Sequence, residues 1–310
     1  MAEVTHTART PNARSRLLKG KLYKSRHAYL FISPFYILFL LFGVYPLIFS
    51  FVLSFTAWMP KQPFQINGIQ NYLLLLKDQV FWQSMKNGII LFFLYVPIMI
   101  LLAAVLAVIL NSKRVRGFQF FRALIFLPYI TNVVAAGFVF QLLFSTKYGI
   151  FNTIMGIFRI PAIAWMDTIW GARIALSMLI IWAWLGYNMV LILAGLQTIP
   201  GELNEAALID GATPVQAFFL ITIPLLRPVL IFCIVLSTIG SFNLFGELVS
   251  LFPSTNGSGP LNSTITPLLA IYNQAFRNFK FGYASTQAYV YFAFIFLVTL
   301  IQLRYFSRER

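Results

Sequence analysis

The chain alternates between long apolar runs and short polar interruptions. Six runs are long enough, or nearly so, to cross a bilayer: Ala28–Met59, Asn87–Leu110, Ala123–Thr146, Ile174–Gln197, Pro228–Val249 and Phe281–Leu303. A hydrocarbon core of about 30 Å takes about 20 apolar residues in a helix. In lipid an unpaired backbone amide costs several kcal/mol, so each run is predicted to be helical. The pattern therefore predicts an all-α membrane protein with six transmembrane helices. The first run is far longer than the core of a signal peptide and lacks a clear small-residue cleavage site, so it is read as a true span.

One interruption differs from the rest. Between the fourth and fifth runs lies NEAALIDGATP, Asn204 to Pro214. Pro200 suits a helix start, and Gly211 suits a left-handed helix stop. A short helix is expected over about 202–210. Thr213 and Pro214 then supply an N-cap and a first helical residue for a second short helix reaching Pro224. Spacing places Leu203, Ala206, Ala207 and Asp210 on one side, and Glu202, Glu205 and Ile209 on another. Alanines leave a narrow face that another backbone can approach, and Glu205 offers a charge for pairing. The helix suits insertion into a groove on a partner protein. An interfacial hairpin with solvated acids fits the same pattern.

Composition agrees with a membrane protein. Of 310 residues, 59% are hydrophobic and 10% charged, against about 25% charged in a soluble domain. The 23 basic residues outnumber the 8 acidic ones, but they flank apolar runs and form no groove-reading motif, so nucleic acid is not an expected partner. Their distribution sets orientation instead. Seven precede Ala28, four follow the second run (Lys113, Arg114, Arg116, Arg122), three end the chain, and Arg227 makes fifteen on one side against eight on the other. Both termini are thus expected in the cytoplasm. Residues 1–27 read as a basic, disordered tail and residues 28–310 as the six-span domain. The acidic loop, about 200–224, falls on the cytoplasmic side and breaks its positive pattern. Cys233 is the single cysteine, and both histidines, His6 and His27, precede the first span. No disulfide, thiolate cluster, intramembrane metal site or nucleophile–base set is expected, and the chain is not read as an enzyme.

The acidic loop carries a longer pattern: Glu205-Ala206-Ala207, Gly211, then Ile221-Thr222-Ile223-Pro224. This resembles the signature loop of permease subunits of bacterial or archaeal ABC importers, with Ile223 where leucine is usual. The segment LAGLQTIPGELNEAALIDGA is similar to the carbohydrate branch, which includes the larger maltose, glycerol-phosphate and lactose permease subunits. The likeness runs from about Tyr29 to Arg304 and includes FLPYI (Phe126–Ile130) and FGYAS (Phe281–Ser285). FPSTNGSGPLNST resembles the family's external Gly-rich loop, with Gly257-Ser258-Gly259-Pro260 replacing Gly-Gly-Gly-Pro.

The resemblance implies a type I importer permease fold in the cytoplasmic membrane, importing a sugar or oligosaccharide. It implies that Glu205, Ala206, Ala207, Asp210, Gly211, Ile221 and Pro224 form the coupling element that docks on a cytoplasmic ATPase. Glu205 would pair with a basic residue there, and Gly211 would permit the bend. The chain has no Gly-x-x-x-x-Gly-Lys-Ser/Thr sequence. It is expected to hold no cofactor itself, ATP being bound by two partner ATPase subunits. The implied partners also include a second homologous permease, completing a heterodimer, and an extracytoplasmic solute-binding protein. The end LRYFSRER lacks the tail often carried by the second permease of such pairs, so the chain resembles the first. Polar groups within spans face a cavity or another helix. Tyr187, Asn188, Ser241, Asn243 and Glu247 are the substrate-path candidates, alongside Trp182, Trp184 and Ser237. The competing reading is an ion-coupled secondary transporter, which would need buried carboxylates.

Overall fold

The computed structural model describes residues 26–60, 63–112 and 117–307. Most of the basic tail, and Lys113, Arg114 and Arg116, lie outside the described residues. The chain divides into two units, with the break between Val52 and Leu53.

The first unit carries α1 (Arg26–Phe39), a π-helical turn (Leu40–Val44) and the start of α2 (Tyr45–Leu53). The helical run Tyr29–Leu53 has a mean hydropathy of 2.3, enough to cross a bilayer. The π turn ends where the Tyr45 amide donates to the Leu40 carbonyl, immediately before Pro46. Proline has no amide to donate, so the hydrogen-bond ladder shifts by one residue just ahead of it.

The second unit is a helical bundle built around α4 (Gln79–Asn111) and α8 (Ile169–Gln197). Along α4, Leu91, Tyr95, Met99, Ala103 and Ala107 recur every four residues and are buried, so they form one stripe. α8 answers with Ala172, Ala175, Leu176, Leu179 and Ala183. Small residues let helices approach closely where lipid supplies no hydrophobic drive between them. α5 (Phe118–Ile130) packs on α8, and α11 (Ile223–Phe242) packs on both α4 and α8. α14 (Phe281–Ser307) lies against α11, against α13 (Pro267–Tyr272) and against the short α3 (Gln70–Leu76).

Two expected spans have a different form. The run from Ala123 to Thr146 is not one helix: α5 ends at Ile130, and α6 (Val133–Leu143) leaves at 94° to it, followed by the short α7 (Ile150–Ile157). Asn132 causes the restart. It is extended, and its side chain accepts from the Val134 and Ala135 amides, forming an N-cap in mid-run. Among the described residues, five helices are long and apolar enough to cross a membrane, or six if the bent pair counts as one span. The fifth run also breaks. α11 stops at Phe242, and Glu247 belongs to a separate short helix, α12 (Gly246–Leu251), which packs against α6. The second and fourth helices begin earlier than expected, at Gln79 and Ile169, where Asp78 and Thr168 cap them.

Arg173 is not the solvated loop cation that its place in the sequence suggests. It is 6% exposed, and its Nε donates to the Ser263 carbonyl at 3.1 Å and Nη2 to Asn87 Oδ1 at 3.0 Å. Trp170 lies against the guanidinium, 5.1 Å from ring centre to Cζ. Asn87, fully buried, donates in turn to the Asn262 and Ile265 carbonyls at 2.8 and 3.0 Å. One end of the α4–α8 pair is thereby fastened to the Gly-rich loop through backbone carbonyls. Arg173→Met leaves the Ser263 carbonyl buried without its donor, which costs about 1–3 kcal/mol. The expected result is a lower melting temperature for the solubilised protein and faster proteolysis within 253–266. An unchanged melting curve would contradict this role.

Candidate functional site

Two places gather the sequence candidates. The first is a cavity of about 410 Å³ at mid-bundle, lined by α4, α5, α8, α11 and α12. Tyr95 marks its depth: it is 16 residues from Gln79 and 16 from Asn111, the two ends of α4 (95 − 79 and 111 − 95). That is about 24 Å of helix to either side.

Tyr187, Asn188, Asn243 and Glu247 all line this cavity, with Trp184 and Ser237. The structure brings these together from α8, α11 and α12. Ser241 does not line it. It is fully buried, and its hydroxyl donates to the Thr238 carbonyl one turn back at 2.7 Å. Trp182 packs on Phe140 instead, at 5.4 Å between ring centres.

The cavity has an aromatic wall. Tyr129 stacks on Tyr187 with centres 4.8 Å apart and planes 22° apart, and Trp184 meets Tyr129 edge-on at 5.3 Å. Tyr95, Met99 and Tyr129 complete the lining from α4 and α5. The path candidates came from α8 and the fifth run alone and omitted these three. Tyr129 sits inside FLPYI, so a signal for it was present.

The polar groups are partly engaged. Asn188, 2% exposed, donates to the Trp184 carbonyl at 3.1 Å, and its amide lies 3.7 Å from Met99 Sδ. Tyr95 donates to the Ser237 carbonyl, and Tyr291 donates to Asn243 Oδ1 at 2.8 Å. Glu247 is 8% exposed. Its location near the end of an apolar run suggests a solvated acid, but the structure places it in the cavity wall.

The second place is the acidic hairpin, at the end of the bundle where α4 reaches Asn111 and α8 reaches Gln197. α9 (Gly201–Ile209) is followed by Gly211 at φ +89°. The Ala212 amide donates to the Ala207 carbonyl, and the Gly211 amide to the Leu208 carbonyl. These paired bonds close the helix as a Schellman motif, which requires the left-handed residue. α10 (Pro214–Ala217) opens on a reciprocal cap: the Thr213 amide donates to Gln216 Oε1 at 2.8 Å, and the Gln216 amide to Thr213 Oγ1 at 3.3 Å. A second π turn, Phe218–Thr222, leads to Pro224, the same arrangement as at Pro46. Ile221 lies within this turn, and Pro224 is exposed.

On α9, Glu205, Ala206, Ile209 and Asp210 are exposed while Ala207 is buried. The expected continuous alanine face is therefore split: Ala207 is covered, and Ala206 stays available beside Glu205. Behind the hairpin a cavity of about 460 Å³ is lined by Val108 and Asn111 of α4, Leu196 of α8, and Leu208, Val215 and Phe218. The hairpin is thus seated on the ends of α4 and α8, the helices that also line the central cavity.

A polytopic helical protein with a lined cavity at mid-bundle and a capped, exposed acidic hairpin at one end has the form of a transport subunit. Residues 88–310 match the family described as binding-protein-dependent transport system inner membrane component. The chain belongs to that family, which places it in the inner membrane as a multi-pass permease and not an enzyme. It is 38% identical to the lactose transport system permease protein LacF of Rhizobium radiobacter, over 94% of this chain and 97% of that one. It is 34% identical to the arabinooligosaccharides transport system permease protein AraP of Halalkalibacterium halodurans, over 89% and 86%. Among solved structures, it superposes with a TM-score of 0.81 on a chain of a bacterial ABC transporter importing the acidic polysaccharide alginate. That match is at 20% identity and covers 95% of this chain and 99% of the other.

Proposed function

We propose that this chain is the membrane permease of an ATP-driven importer of a sugar or oligosaccharide. The observation that carries the reading is the convergence of Tyr187, Asn188, Asn243 and Glu247 on one aromatic-walled cavity, joined to the acidic hairpin by α4 and α8. Relatives named for lactose and arabinooligosaccharide transport support the substrate class. Sugars stack on aromatic faces and bond to amides, hydroxyls and carboxylates, and this lining supplies all of these groups.

The hairpin docks on a cytoplasmic ATPase that this chain does not contain. Glu205 pairs with a basic residue of the ATPase, Ala206 and Asp210 complete the exposed face, and the Gly211 turn and the π turn at Ile221 keep the joint bendable ahead of Pro224. Two ATPase subunits, a second homologous permease and an extracytoplasmic binding protein complete the machine. A related structure, of the alginate transporter, holds a periplasmic protein loaded with alginate pentasaccharide. The excess of basic residues on one side supports a cytoplasmic location for both termini. Movement of the ATPase pair rocks α4 and α8 and opens the cavity alternately to the two sides.

Tyr187→Ala removes the stacking partner of Tyr129 and one of the three rings of the aromatic wall. Uptake of the transported sugar is expected to fall about tenfold, equivalent to about 1.4 kcal/mol, while the amount of assembled transporter stays constant. Labelled-sugar uptake by cells, normalised to purified complex, provides the check. Unchanged uptake would remove this cavity from the path.

A further inference from the structure

We propose that Glu247 makes the cavity a charge filter, admitting uncharged glycans and rejecting those that carry carboxylates. This deepens the reading of the cavity as the sugar path and rests on it. Among the described residues that line the cavity, Glu247 is the only carboxylate, and no lysine, arginine or histidine accompanies it. The side chain is 8% exposed. Among the described residues, no group ion-pairs or hydrogen-bonds with the carboxylate. The carboxylate oxygens are not among the sealed, partnerless polar atoms of the described residues, so they open on the cavity and take their donors from what fills it. These oxygens accept only, with room for about four hydrogen bonds. A glycan supplies the missing donors as hydroxyl groups.

The remaining polar groups of the lining are neutral, so none supplies a positive charge to offset an anion. The Asn188 amide is directed to the Trp184 carbonyl, and the Tyr95 hydroxyl to the Ser237 carbonyl. Asn243 Oδ1 already accepts from Tyr291. A uronate entering this space brings a second carboxylate close to Glu247 with no cation to neutralise either. Like charges repel more strongly where protein and cargo exclude water. The aromatic wall of Tyr129 and Tyr187 stacks on any pyranose face, so ring shape is read loosely and charge sharply.

The test uses the intact transporter in lipid nanodiscs without its binding protein, so that the binding protein's own selectivity is absent. Tryptophan fluorescence is titrated with three matched pairs: a diglucoside and a diglucuronate, a digalactoside and a digalacturonate, a dimannoside and a dimannuronate. In at least one pair the neutral member is expected to bind about tenfold or more tightly than its uronate, a gap of about 1.4 kcal/mol. Glu247→Gln should shrink that gap to under about threefold, and Glu247→Lys should reverse it. Trp184→Phe should weaken the signal, which locates it in this cavity.

Equal binding of neutral and acidic members by the unsubstituted transporter would overturn the filter and leave the sugar path standing. A gap that survives Glu247→Gln unchanged would do the same. If no neutral glycan in any pair alters the fluorescence, the path reading itself falls, and the filter with it. The comparison within the unsubstituted protein needs no variant to fold.

Discussion

Glu205→Ala is expected to lower ATP hydrolysis by the assembled transporter about 10- to 100-fold. The carboxylate stands exposed on α9, beside the exposed Ala206. A hydrogen bond to a charged group contributes about 1.5–3 kcal/mol, and about 1.4 kcal/mol is a factor of ten in affinity. Because Glu205 is exposed and makes no hydrogen bond or ion pair among the described residues, membrane insertion and melting temperature should not change. Gly211→Leu acts on the same joint by another route. Nothing lies within 4 Å of where its Cβ would be built, so there is no steric obstacle. The cost is the left-handed backbone at φ +89°, about 1–3 kcal/mol for a residue with a side chain. The Schellman closure would open and the angle between α9 and α10 would be lost. Both variants should keep the permease pair intact while its ATPase fails to respond to loaded binding protein. If either hydrolyses ATP at the unsubstituted rate, the hairpin is not the coupling element.

Gly186→Val is expected to damage the fold severely. Gly186 sits on α8 where α5 crosses it, and a Cβ there would fall within the radius of the Ile125 carbonyl oxygen and close on the Phe126 backbone. Backbone cannot rotate away as a side chain can. Overpacking of this kind costs about 3 kcal/mol or more, because the helices must separate. The consequence reaches the cavity, since α5 supplies Tyr129 and α8 supplies Tyr187, one residue from Gly186. The expected outcome is loss of monodisperse protein in detergent and of sugar uptake together. Gly186→Ala should show the same defect more weakly. A Val variant that purifies and transports normally would refute the close approach.

The fold was legible in the sequence wherever the bilayer dictates it. Apolar runs of sufficient length must be helices, so the spans could be read from hydropathy alone. The two breaks were hidden by the same rule. Thr131-Asn132 and Asn243 each interrupt an apolar run too briefly to lower its mean hydropathy. Only the capping chemistry of Asn132 betrays the first, and its local form could have been read. The hairpin was legible almost residue by residue, because caps and stops are local: Gly211 and Thr213 take the backbone roles their side chains predict. Ala207 was misassigned to the open face because its cover comes from elsewhere in the fold.

The cavity was legible in part. Polar residues in apolar helices stand out, so Asn188, Asn243 and Glu247 were visible, but Ser241 looks the same in sequence and bonds to its own helix. Tyr95 and Tyr129 are lost among the many aromatic residues of the chain until the helices are packed. Arg173 shows the limit most clearly. Its acceptors Asn87 and Ser263 lie 86 and 90 residues away, and no local pattern distinguishes it from a solvated loop cation.

The central claim is that this chain moves sugar only when another subunit's ATP hydrolysis drives it through the hairpin. Proteoliposome uptake tests that most directly. The chain, its second permease and the ATPase pair are reconstituted with ATP enclosed on the ATPase side and loaded binding protein on the other. Labelled sugar should accumulate against its gradient, and accumulation should disappear when either the ATPase or the second permease is omitted, or when Glu205 is replaced by alanine. Accumulation by this chain alone, driven by a proton or sodium gradient without ATP, would contradict the account.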